Sequence, residues 1–197
     1  KFVDHLIIGN FREVRDYPPE QYVEEVLIDR LGVRAVVVGD DWRFGKNRAG
    51  SYRDLERLSR GRFTVHPQSQ LKKHGRSISS TWIRQALGEG NISLVRELLG
   101  RYPSYRGKVV KGNQVGSDIG YPTANIALDS RVALPKRGSY AAFVTLEGRE
   151  LQGAVHVGDR PTFGETERHQ IEVYLFDFSG DIYGKDLEVK LVKFLGG

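Results

Sequence analysis

The sequence predicts two fold classes in series: an α/β layer with a parallel sheet, then a small all-β antiparallel barrel or sandwich. Three observations carry this reading. Helical and β-branched segments alternate as far as Gly100. Beyond Arg101-Tyr102-Pro103, short alternating segments separated by Gly and Pro replace them. Those segments are joined by turn signals such as Glu147-Gly148 and Ser179-Gly180-Asp181. The boundary is expected near residue 101, giving domains 1–100 and 101–197.

The elements follow in order. Tyr17-Pro18-Pro19 opens a helix over Glu20 to Leu31, with Tyr22, Val23, Val26, Leu27 and Leu31 at helical spacing and Gly32 as its stop. Arg34 to Val38 is a β-branched run into Gly39, the pattern of a buried parallel strand ending in a loop. Ser51 to Arg60 reads as a second helix and Phe63 to Val65 as a short strand. Thr81 to Leu87 reads as a helix, and Asn91 caps another that carries Ile92, Val95, Leu98 and Leu99 and stops at Gly100. In the second half the candidate strands are Tyr105 to Val110, Tyr140 to Leu146, Leu151 to Val157, Gln170 to Phe176 and Leu187 to Phe194. No internal repeat or low-complexity segment interrupts them.

Composition narrows the possible functions. The chain has 197 residues, 39% hydrophobic and 28% charged, which excludes a disordered chain. It has no Cys, so a disulfide framework, a thiolate zinc site and a cysteine nucleophile are excluded. It has no Met either, so residue 1 is not expected to be a translation start, and the sequence is expected to be a piece of a longer polypeptide. No apolar run approaches the roughly 20 residues of a membrane helix, and Lys1 to Asn10 lacks the pattern of a signal peptide. A cytoplasmic location is the expectation.

The net charge of +5 says little about partners, but its distribution says more. Between Arg43 and Arg76, the bases Arg43, Lys46, Arg48, Arg53, Arg57, Arg60, Arg62, Lys72, Lys73 and Arg76 face only Asp54 and Glu56. Such a block attracts nucleic acid, a membrane surface or the phosphates of a nucleotide, or it is a solvated loop and helix face.

Four strings carry chemistry. In Val36-Val37-Val38-Gly39-Asp40-Asp41-Trp42-Arg43-Phe44-Gly45, a glycine, carboxylates and an arginine follow a strand, where ligands of open α/β sheets bind. Turns use Gly and Asp for structural reasons too. Ile78-Ser79-Ser80-Thr81-Trp82-Ile83-Arg84 sets three hydroxyls at a helix start with Arg84 one turn on, a combination suited to phosphate. Simple capping accounts for one hydroxyl. In the string from Gly112 to Ile126, Gly112, Gly116 and Gly120 recur every four residues, and Pro122 stiffens a turn presenting Thr123 and Asn125. The oxygens of Thr123 and Asn125 are hard ligands suited to Mg2+ or to a phosphate-bound water. Glu172 lies between Ile171 and Val173, so alternation puts it on the opposite face, where it is a general base or a solvated strand glutamate. The histidines His5, His66, His74, His156 and His169 show no ligand or triad spacing and read as surface or local hydrogen-bonding residues.

Together, Val38 to Gly45, Ile78 to Arg84, Gly120 to Ile126, Val157-Gly158-Asp159-Arg160-Pro161-Thr162-Phe163 and Asp181-Ile182-Tyr183-Gly184 resemble the bacterial bifunctional riboflavin kinase/FMN adenylyltransferase family, also called FAD synthetase, over residues 2 to 195. The resemblance implies an incomplete Rossmann-like nucleotidyltransferase domain, followed by a six-stranded antiparallel riboflavin kinase barrel. It implies that Thr123 and Asn125 hold Mg2+ and the ATP phosphates, that Glu172 is the base toward the ribityl 5′-hydroxyl, and that Gly112, Gly116, Gly120 and Pro122 form a flap over the nucleotide. In the transferase half it implies nucleotide binding by Gly39, Asp41, Arg43, Ser79, Ser80, Thr81 and Arg84. The expected partners are ATP, riboflavin and FMN, with FAD as a further product, and neither nucleic acid nor membrane. The family's first transferase motif, Gly-x-Phe-Asp with two later histidines, is absent: Gly9-Asn10-Phe11 continues as Arg12-Glu13-Val14. The family's C-terminal helix is also absent after Gly197. This chain by itself is therefore not expected to adenylylate FMN. The competing reading is a non-catalytic nucleotide or nucleic-acid binding module using the basic segment 43–76.

Overall fold

Pro19 sits where a helix loses nothing by lacking an N–H, and the first long helix starts there. The computed structural model describes residues 3–110, 124–129, 131–159 and 169–197. It divides into two compact units, residues 1–77 and 78–197.

In the first unit, α1 (Phe11–Val14) is capped by Asn10, and α2 (Pro19–Gln21) runs straight into a π-helical segment, Tyr22–Arg30. The backbone N–H of Leu31 donates to Val26 O at 3.1 Å, five residues back, so the turn is wider than the α-helix the spacing predicts. Val23 and Leu27 still face the core. There follow β1 (Ala35–Gly39), β2 (Arg43–Phe44), β3 (Gly50–Ser51), α3 (Tyr52–Ser59), β4 (Thr64–Gln68), β5 (Lys72–Lys73) and β6 (Arg76–Ser77). β1 pairs in parallel with β4, from Ala35 opposite Thr64 to Gly39 opposite Gln68. Val23, Leu27, Phe44, Leu55, Leu58 and Phe63 form the core of this unit. One expectation is corrected here. The run into Gly39 was expected to be buried, yet Val37 is 66% exposed, because among the described residues β1 belongs to a two-stranded sheet.

The second unit contains α4 (Ser80–Gly88), α5 (Ile92–Leu99) and six strands: β7 (Ser104–Val110), β8 (Ala124–Ile126), β9 (Gly138–Leu146), β10 (Arg149–Asp159), β11 (His169–Leu175) and β12 (Asp186–Gly196). They close into a barrel in the order β10-β11-β8-β7-β12-β9, which leaves no free edge. Alternation fills it: Tyr140, Ala142, Val144 and Leu146 of β9 point inward, as do Leu187, Val189 and Leu191 of β12. Each such fully buried large side chain contributes roughly 1.5–3 kcal/mol.

Five of the six strands match segments predicted from alternation. The sixth, β8, lies in the string that reads as a glycine-rich loop, because three residues are too few to show a period. The two helices before the barrel pack on it: Ala86, Leu87, Ile92 and Val95 share one core with Tyr105 and Tyr140. Lys136 N also donates to Leu87 O at 3.0 Å. The change of pattern at residue 101 thus marks the first barrel strand, while the division by packing falls between Ser77 and Ile78.

Candidate functional site

Strand register assembles the polar residues of the barrel. β11 pairs with β8 so that Glu172 stands directly opposite Asn125, and with β10 so that Glu172 also stands opposite His156. β10 pairs with β9, setting His156 opposite Ser139. Their neighbours Val155, Val157, Ile171 and Val173 are at most 1% exposed and fill the interior. The row Ser139–His156–Glu172–Asn125 therefore runs across four adjacent strands on the outer face of the barrel. Glu172 is half-buried in it.

Asn125 is the exception in this row, since it is 6% exposed although it faces outward. Its amide oxygen is buried and, among the described residues, has no hydrogen-bond partner. Leaving a buried polar atom unsatisfied costs about 1–3 kcal/mol, so its persistence points to a ligand. A neutral amide oxygen beside a carboxylate is a hard donor that suits Mg2+. The donor chemistry of Asn125 is thus compatible with this cation. Among the described residues no group of three or more His, Cys, Asp or Glu side chains could hold a metal.

Two further features hold this region in place. Gly107 of β7 passes so close to β8 that a Cβ there would lie 2.1 Å from Ala127 O and 2.6 Å from the Ile126 side chain. Only glycine lets β7 and β8 approach in this way, and β7 sets Val110 opposite Asn125. The Asp181-Ile182-Tyr183-Gly184 string forms a turn in which Asp181 Oδ1 accepts from Tyr183 N at 2.9 Å. Gly184 N then donates to Val109 O at 3.0 Å, fastening the turn to the end of β7. Deeper in the barrel, Tyr105 donates its hydroxyl to Ala133 O at 3.1 Å and Tyr140 donates to Lys136 O. Burial pushes the Tyr140 hydroxyl up to about 12. Gly112, Gly116, Gly120, Pro122 and Thr123 lie outside the described residues. So does the Arg160 to Phe163 part of the Val157 string.

The remaining predicted residues fall in both units. In the first, β1 ends at Gly39, and Trp42 N donates to Gly39 O at 3.0 Å to close a turn. Asp41 and Arg43 are exposed beyond that turn. Asp41 Oδ2 accepts from Gln70 Nε2, and Arg43 donates to Trp42 O at 3.1 Å. Trp42 stacks on Phe44 with centroids 4.8 Å apart, and buried Phe44 anchors the turn in the core. In the second unit, Ser79 caps α4 by accepting from Trp82 N at 3.3 Å. Ser80, Thr81 and Arg84 are exposed on the first turns of α4. Capping thus uses one hydroxyl of the three. Part of the basic segment is neutralised locally, since Arg62 forms two 2.6 Å hydrogen bonds with Glu24 and Arg57 lies 3.3 Å from Asp54.

Alternation singles out Glu172 and the glycine-rich string singles out Asn125; His156 reads from sequence as a surface or local hydrogen-bonding residue, and Ser139 is not singled out. The signal that finds them is cross-strand register, which single-strand alternation does not contain.

Known proteins resemble this chain along most of its length. A riboflavin kinase family model matches residues 99–196, and an FAD synthetase family model matches residues 1–82. The bifunctional riboflavin kinase/FMN adenylyltransferase of Haemophilus influenzae is 37% identical over 191 residues, covering 95% of this chain and 61% of that protein. The protein of the same name from Escherichia coli K12 is 36% identical over 195 residues, covering 97% of this chain and 61% of that protein. The chain thus spans about 61% of the length of these relatives. A crystal structure described as a macrolide-efflux protein from Streptococcus pneumoniae matches with a TM-score of 0.79 at 31% identity, covering 92% of this chain and 58% of that one. Among the described residues, no helix is long and apolar enough to cross a membrane.

Proposed function

The chain belongs to the bifunctional riboflavin kinase/FMN adenylyltransferase family, and from that premise we propose that its barrel transfers the γ-phosphoryl group of ATP to the 5′-hydroxyl of riboflavin. The observation that carries the reading is the pairing of Glu172 with Asn125, whose buried oxygen lacks a partner among the described residues.

Glu172 accepts the proton of the 5′-hydroxyl as that oxygen attacks the γ-phosphorus. A new P–O bond forms, the bond to the β,γ-bridging oxygen breaks, ADP leaves with that electron pair, and Glu172 passes the proton to water. Thr123 and Asn125 are the residues that would hold Mg2+, which when bound offsets charge on the phosphates. Gly112, Gly116, Gly120 and Pro122 would form the flap that excludes water, which otherwise competes as acceptor.

The domain assignment follows the same reading: residues 1–100 serve the transferase and residues 101–197 the kinase. Gly39, Asp41, Arg43, Ser79, Ser80, Thr81 and Arg84 would bind the nucleotide during adenylylation of FMN to FAD in the longer protein. The exposed bases Arg43 and Arg84 favour small polyanions. A cytoplasmic location fits such substrates.

The test is riboflavin phosphorylation followed by separation of FMN. Glu172→Gln should lower kcat roughly 10²- to 10⁴-fold with the barrel still folded. Undiminished turnover in Glu172→Gln would remove the assignment of the base, and absence of turnover in the wild-type chain would count against the kinase reading.

A further inference from the structure

In-line transfer places the attacking and leaving oxygens on opposite sides of the phosphorus. In the outer-face row, Asn125 lies on one side of Glu172, and His156 and Ser139 lie on the other. If the donor phosphates occupy the Asn125 side, the chain that carries the accepting hydroxyl extends over β10 and β9. The next strand lies about 4.8 Å away, so a polyol that runs on past its first neighbouring hydroxyl reaches it.

His156 is built to meet such a chain. It is exposed on the same face as Glu172, and directly opposed residues of antiparallel strands have Cβ atoms about 4.5–5.5 Å apart. Its ring leans along its own strand, with Nε2 3.1 Å from where a Cβ on Gly158 would sit, a tight contact that glycine avoids. Nδ1 lies 3.5 Å from Ser139 Oγ. The hydroxyl behind the ring steadies it and extends the polar row by one more strand. With Nδ1 turned to Ser139, Nε2 is the ring nitrogen left to meet a hydroxyl, which both donates and accepts.

We propose that His156, supported by Ser139, is a specificity-determining residue that binds the ribityl hydroxyls of the flavin substrate. The proposal rests on the kinase reading above. It explains why an imidazole and a hydroxyl stand in line with the carboxylate on a barrel face whose other task is phosphoryl transfer.

Flavin binding tests this without requiring catalysis. Fluorescence quenching measures the Kd of riboflavin, and of lumiflavin, which has the ring system and no polyol, for the wild-type chain, His156→Ala, His156→Gln and Glu172→Gln. His156→Ala should weaken riboflavin binding roughly 3- to 10-fold, the worth of one neutral hydrogen bond, and leave lumiflavin binding and the KM for Mg-ATP unchanged. His156→Gln, which keeps a donor and an acceptor, should recover part of the loss. An unchanged riboflavin Kd in His156→Ala, or an equal loss for both flavins, overturns the proposal. Failure of the kinase reading is seen separately, as no phosphorylation of riboflavin or no riboflavin binding by the wild-type chain.

Discussion

Asn125 is a side chain that the barrel serves poorly: among the described residues its buried oxygen has no partner, a cost in stability of about 1–3 kcal/mol. Replacing it with the shape-matched Leu should therefore leave the melting temperature in EDTA at or above that of wild type. The same change should abolish phosphorylation and any upward shift of melting by Mg2+. Thermal melts with and without the cation read this directly. Asp54 shows the opposite balance. It accepts from the Ser51 hydroxyl at 2.7 Å and from Ser51 N at 3.0 Å, while Arg57 stands 3.3 Å away. These bonds, the Ser51 hydroxyl first, hold its carboxyl at about 2, below the ordinary 3.8. A depressed folded value means that the stabilisation is present above the unfolded value and is lost as pH falls through the folded one. Asp54→Asn should destabilise the protein at neutral pH. Its deficit in urea midpoint should shrink as pH falls from about 4 toward about 2, where wild type too is protonated.

At the scale of elements, close approach of backbones decides more than propensity does. Gly107 is needed because β7 crosses against Ala127 O, which a methyl group would meet at 2.1 Å. Gly107→Ala should force β7 and β8 apart and cost about 1–3 kcal/mol, read as a lower urea midpoint. It should also raise the KM for Mg-ATP, because β8 carries Asn125. Neither the closeness of these strands nor the strand nature of Ala124–Ile126 shows in the sequence. The string reads as a loop because its glycines and Pro122 dominate a three-residue strand. By contrast α3 was legible as a helix, and its start is fixed by a capping box in which the bonds of Ser51 and Asp54 both form.

At the scale of the molecule, α4 and α5 belong with the barrel by packing. Ile92 and Val95 are 2% and 0% exposed, in a core shared with Tyr105 and Tyr140. A fragment 101–197 should lose that contribution, at roughly 1.5–3 kcal/mol per large side chain as an upper estimate. Given total stabilities of about 5–15 kcal/mol, this brings the shorter piece near the limit of folding, whereas 78–197 should keep a cooperative melt. Circular dichroism melts of the two fragments test this, and equal midpoints would contradict it. The sequence by itself determined the two fold classes, ten of the helices and strands, the candidates Glu172 and Asn125, and the family. These depend on local periods, caps and ordered strings, which a linear chain carries openly. Only the tertiary structure decided that Asn125, Glu172, His156 and Ser139 form one row, that Val37 is exposed, and that two helices from the α/β half pack on the barrel. Register and inter-element packing set these, and both pair residues far apart in sequence through contacts that no local pattern encodes.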